Sequence, residues 1–199
     1  MKKALFIFVA VIAFLVINNF IPSKEECEIY NSTVRLHVIA NSDSEEDQKL
    51  KLRVRDAIVE QMSTYNAKTK EEALEYINND KDNLKKIAEE CIKNEGFNNS
   101  VSIEIGEESY PTREYEDFAL PAGKYTSLRV IIGEGEGQNW WCVLYPPLCT
   151  SYAIKPENDE YIDVGFTKEQ FNLITGNEKE YKIKFKLLEM ASQAFGFEY

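Results

Sequence analysis

The sequence predicts an α+β fold, a mixed α/β arrangement in which a sheet of about four strands packs with helices after an N-terminal signal or anchor segment. Three observations lead there. Residues 33–62 read as one strand, a tight turn and a long amphipathic helix. The rest of the chain continues as two more helices, three or so strands and then helices, so helices and strands come in blocks rather than in regular alternation. Ahead of all this, Lys2 and Lys3 precede an apolar run from Ala4 to Ile17, the pattern of an export signal.

The N-terminal segment sets the context. The run is short for a spanning helix, and no small-residue cleavage site stands between Ile17 and Ser23. A cleaved signal and a retained anchor both stay open, and either places the body outside the cytoplasm of the producing cell. Residues 22–32 then read as a polar linker with Lys24, Glu25, Glu26 and Glu28, and residues 33–199 as a single domain.

Val34, Leu36 and Val38 alternate with Arg35 and His37 at the period of a strand, and Ile39 adds apolar character to the second face, which predicts an interior strand. Asn41, Ser42, Asp43 and Ser44 are turn formers. Ser42 with Glu45, or Ser44 with Asp47, is a helix-capping signature. Leu50, Val54, Ala57, Ile58 and Met62 follow at helical spacing. A second helix is predicted over 68–78 and a third from Asn79 or Asp80 to near Gly96.

Val101, Ile103 and Ile105 alternate as a second strand, and Tyr110 to Phe118 is a charged, aromatic connection carrying Pro111. Tyr125–Ile132 and Trp140–Tyr145 read as strands three and four. Gly133, Gly135 and Gly137 between them predict an antiparallel hairpin with a long loop. Residues 150–166 read as loop with a short edge strand at Ile162 and Val164, and 167–173 and 181–195 as helices.

Charge and cysteines narrow the function classes. The chain carries 34 acidic against 23 basic residues, a formal charge of −11, and the signal holds two of the lysines and no acid. Nucleic acid and anionic membrane surfaces need basic patches and are disfavoured as partners. Among Cys27, Cys91, Cys142 and Cys149, the last two are the best disulfide candidates because Pro146 and Pro147 force a turn between them. Cys91, on a helical apolar face, reads as a buried free thiol.

No catalytic, cofactor or metal constellation emerges. The glycine loop carries Glu134 and Glu136, which repel phosphate, and no helix follows it. Asn41, Asp43 and Glu45 alternate as in a calcium loop, but Glu46 and Leu52 stand where that loop needs glycine and glutamate. His37 is the only histidine, and no C-x-x-C occurs. An envelope-space hydrolase using His37 with Asp43 or a nearby carboxylate is an alternative reading, as is a septal scaffolding protein. A recognition surface is the stronger one: the adjacent indoles of Trp140 and Trp141 point to opposite faces of a strand. Asn41, Ser42, Asp43, Arg129, Trp141, Tyr145 and Leu148 are the candidate receptor contacts.

RLHVIANSDSEEDQKLKLRVRDAI (35–58) and LPAGKYTSLRVIIGEGEGQNWWCVLYPPLC (120–149), behind one N-terminal signal, resemble the stage II sporulation protein R family of endospore-forming bacteria. The resemblance implies a non-catalytic, cofactor-free signalling protein. It would be made in the forespore and exported into the space between forespore and mother cell. There it would trigger the membrane-embedded aspartic protease of the mother cell, stage II sporulation protein GA, which processes the sigma-E precursor. It assigns no binding residues.

Overall fold

The computed structural model describes residues 24–115, 118–148 and 167–175. The predicted signal (1–21), Cys149, the edge strand at Ile162 and Val164 and the helix over 181–195 lie outside these. The described residues belong to two compact units. One comprises residues 30–108 and 124–168, and the other combines 109–123 with stretches from both ends of the chain.

The larger unit is the predicted α+β layer structure. Strand β1 (Val34–Ile39) leads into α2 (Glu45–Ser63), α3 (Lys70–Asn79) and α4 (Lys81–Asn94). Strands β2 (Val101–Tyr110), β5 (Gly123–Ile132) and β6 (Asn139–Tyr145) complete a sheet in the order β2-β5-β1-β6. Val34, Leu36 and Val38 of β1, Val101 and Ile103 of β2, and Leu128 and Val130 of β5 face one way. There they share a core with Leu50, Val54 and Ile58 of α2, Ile77 of α3, and Leu84 and Ile92 of α4. All six β1 residues are buried, as a strand paired on both edges and covered on both faces must be.

The predicted hairpin is not formed. β1 pairs in parallel with β5 and antiparallel with β6, so it lies between the two strands that the glycine loop connects. The loop crosses the C-terminal end of β1, a span of about 10 Å for two strand spacings. Alternation and a glycine-rich connection are the same for a hairpin and for this crossing. The difference lies in β1, whose two apolar faces let it enter between the arms.

The capping choice also resolves. Ser44 is the N-cap of α2, its side chain accepting from Asp47 N at 3.1 Å. The alternative box of Ser42 and Glu45 is not the cap. The segment read as a linker is helical over α1 (Lys24–Ser32). In the smaller unit, β3 (Arg113–Glu114) and β4 (Ala119–Leu120) form a two-stranded antiparallel sheet, with the rings of Tyr115 and Phe118 stacked at 4.4 Å. Helix α5 spans Lys168–Thr175. No helix among the described residues is long and apolar enough to cross a membrane.

Candidate functional site: the C-terminal end of β1

The two sequence blocks singled out above meet where β1 ends. The turn Asn41–Ser44 and the loop Gly133–Gln138 are tied to each other and to the first turns of α2. Asn41 Nδ2 and Ser42 Oγ both donate to Asp47 Oδ2, at 2.9 and 2.6 Å. From the loop, Glu134 N donates to Asn41 Oδ1 at 3.1 Å and Gln138 N to Asp43 Oδ1 at 2.8 Å. The loop backbone also reaches the end of the strand: Glu136 N donates to Asn41 O and Gly137 N to Ala40 O. Lys51 closes the far side, donating to Gln138 O at 2.9 Å and to Gln48 Oε1 at 2.6 Å.

Hydrogen bonds from Ser42 and Asn41, then Ser44, outweigh burial and hold the Asp47 carboxyl below the usual carboxylate range. Burial pulls the Lys51 ammonium down. Two glycines are required here by space. A Cβ on Gly137 would lie 2.2 Å from Ser42 O, and Gly133 has φ +58° with Asn41 Oδ1 2.1 Å from its would-be Cβ.

The sheet face opposite the helices carries a charged network. His37 Nδ1 lies 2.8 Å from Glu108 Oε1 and Nε2 lies 2.8 Å from Asn139 Oδ1, with the Trp141 ring centroid 5.5 Å away. Arg129 Nη1 donates to Glu104 Oε2 at 2.9 Å, and its Nε is 3.7 Å from Glu108 Oε1. Burial pushes the Glu108 carboxyl up, but the hydrogen bond and charge of His37, with help from Ser127 and Arg129, bring it below the usual range. Next along β1, Arg35 is fully buried. Its Nε donates to Cys142 O at 2.9 Å and its guanidinium lies 5.0 Å from the Tyr125 ring centroid.

Of the carboxylates that the hydrolase reading paired with His37, the structure supplies a nearby one, Glu108, and not Asp43. Both ring nitrogens of His37 have partners, Glu108 and Asn139, and Asp43 Oδ1 instead takes the Gln138 amide. No group of three or more metal-type side chains occurs among the described residues.

The candidate contacts thus fall into three sets. Asn41, Ser42 and Asp43 sit together in the turn, with Asp43 exposed. Arg129 and the half-buried Trp141 belong to the charged face. Tyr145 and Leu148 are buried at 6% exposure each, and Tyr145 Oη donates to Lys68 O at 2.6 Å. Cys142 is disulfide-bonded, Cys91 is a free thiol, and the proposed partner Cys149 lies outside the described residues.

The indole left exposed is that of Trp140, at 38%, with the Arg55 guanidinium 4.4 Å from its ring centroid. Trp140, Arg55, Lys51, Glu108 and Asn139 are absent from the sequence-derived set. Alternation put Trp140 on the opposite face from Trp141, but only the position of β6 at the end of the strand order leaves that side uncovered.

Comparison with known proteins bears on what this surface serves. The family model described as "Stage II sporulation protein R" matches residues 30–155. A curated relative, "Stage II sporulation protein R" of Bacillus subtilis (strain 168), is 33% identical over 186 residues, covering 84% of this chain and 83% of its own. Neither description names a catalytic activity. No solved structure matches the chain.

Proposed function

The chain belongs to the stage II sporulation protein R family, and from that premise we propose that it is an intercellular sporulation signal. It is exported from the forespore into the intermembrane space. There it activates the membrane-embedded aspartic protease of the mother cell, stage II sporulation protein GA, and so drives processing of the sigma-E precursor. Residues 1–21 serve as the export address and, if retained, as a tether.

The observation that carries the ligand reading is an exposed indole at the end of a sheet whose turn and loop are locked together by hydrogen bonds. The indole of Trp140 is left at the surface, while the ring nitrogens of His37 are hydrogen-bonded inside the fold. A ligand acts on its receptor by binding the active state more tightly than the inactive one, and it needs surface complementarity rather than a reactive group.

The test is processing of the precursor in cells that co-express precursor, protease and this chain. The native chain is compared with a form whose first 21 residues are replaced by an unrelated cleavable signal. Processing by both forms makes the body the signal and the N-terminus its address. Processing by the native form alone makes tethering part of the mechanism. Processing by neither, while an established activator works in the same cells, refutes the signalling reading.

A further inference from the structure

The exposed surface at the C-terminal end of β1 has a chemistry of its own. Trp140 and Tyr76 are the large hydrophobic side chains exposed among the described residues. The Tyr76 ring is stacked on Tyr65 at 5.3 Å, within the helical layer. Trp140 stands at the sheet edge, one ring face held by Arg55, whose Nε and Nη2 in turn donate to Asp56.

Gln138, two residues before Trp140, is tied by its amide to Asp43 Oδ1, and from there the turn and loop present the side chains of Asp43, Glu46, Glu134 and Glu136. All four are exposed; Asp43 interacts electrostatically with Lys51, whereas the Glu46, Glu134 and Glu136 carboxylates make no hydrogen bond or ion pair among the described residues. They do not converge into a metal-binding group. They are spread around a rigid rim, since the backbone beneath them is fixed by the bonds described above. A fixed aromatic bordered by spread carboxylates, those of Glu46, Glu134 and Glu136 without a partner among the described residues, is complementary to a polypeptide, not to a small cation. Trp140 supplies the apolar anchor, and the rim favours positive charge and sets orientation and encounter rate.

We infer that this surface docks a basic segment of the receptor that carries an apolar or cationic side chain onto Trp140. The inference rests on the signalling reading above and deepens it. It makes Glu134 and Glu136 the most informative positions: their amides hold the loop, but their side chains make no hydrogen bond or ion pair among the described residues, so altering them leaves the fold intact.

The test uses the full chain in the co-expression assay, with the dose for half-maximal processing read against the amount of protease-resistant chain. E134K/E136K is expected to raise that dose about tenfold, as two exposed attractive contacts become repulsive. E134Q/E136Q should fall between it and the native chain. Trp140→Ala is expected to raise the dose roughly 30-fold, the loss of an interface anchor. Should Trp140→Ala fail to fold, the two charge variants decide. Native-like dose curves for both charge variants overturn the docking surface and leave the signalling reading standing. Absence of processing by the native chain overturns both.

Discussion

Asp47 is the residue on which turn, loop and helix depend together. Its Oδ2 accepts from Asn41 and Ser42, and its amide completes the Ser44 cap. The two bonds to Oδ2 are charge-assisted, about twice as strong as neutral ones. Because they depress the folded carboxyl below its ordinary 3.8, their contribution is fully present above that value and is lost as pH falls through the lower, folded one. Asp47→Asn keeps the shape and an acceptor oxygen but not the charge. It should cost about 1 kcal/mol at pH 7, and the difference from the native chain should be smaller at an acid pH below the ordinary 3.8. Urea unfolding at the two pH values measures both quantities. An equal deficit at each would mean that packing, not charge, holds the turn.

At the scale of elements, the crossing loop depends on Gly137 as the sheet depends on β1. A methyl at Gly137 would meet the carbonyl oxygen of Ser42, which belongs to a hydrogen-bonded turn and cannot swing aside as a side-chain end could. Gly137→Ala is expected to cost about 2–3 kcal/mol and to lower the unfolding temperature by several degrees, as calorimetry would register. A change within about 0.5 kcal/mol would indicate that the loop floats free of β1.

The same junction marks the limit of legibility. The four strands of the main sheet, helices α2 to α5 and the interior character of β1 follow from local periodicity, whereas α1 lay in a stretch that read as a linker. The strand order does not, because a hairpin and a crossing over an inserted strand share one pattern of alternation and glycines. The partners of His37 were hidden for the same reason: Glu108 is 71 positions away and Asn139 is 102. They meet only once β2, β5, β1 and β6 are laid side by side. Asn41 to Asp43 were legible as a turn, but their bonds to the loop were not, since Asn, Ser and Asp look alike in an exposed turn and in a buried junction.

At the scale of the whole molecule, the titrating groups fix the pH range over which a chain with a formal charge of −11 stays folded, and one pair contributes at both ends of it. The Tyr65 hydroxyl donates to Asp80 Oδ2, which also accepts from Asn83 at 3.0 Å and Gln61 at 3.2 Å. Burial pushes the Asp80 carboxyl up, but these bonds outweigh it and leave it below its ordinary value. Burial, then the bond to Asp80, pushes the Tyr65 hydroxyl to about 12. The carboxylate, depressed in the fold, stabilises above its unfolded value, and that contribution is lost as pH falls through the folded one. The phenol, raised in the fold, stabilises below its unfolded value near 10, and that contribution is lost as pH rises toward about 12. Asp47 and Glu108 are depressed as well and add to the acid limb, so urea midpoints should form a plateau between about pH 5 and 10. Tyr65→Phe removes the donor to Asp80 and the titrating phenol in one step. It should lower the plateau by about 1 kcal/mol, reduce the fall on the acid side and shift the alkaline fall to higher pH. Asp47→Asn, in contrast, should lower the plateau and reduce the acid fall while leaving the alkaline fall where it is. If Tyr65→Phe left the alkaline limb unmoved, that limb would have to come from other groups, such as Tyr145, whose hydroxyl burial also pushes up.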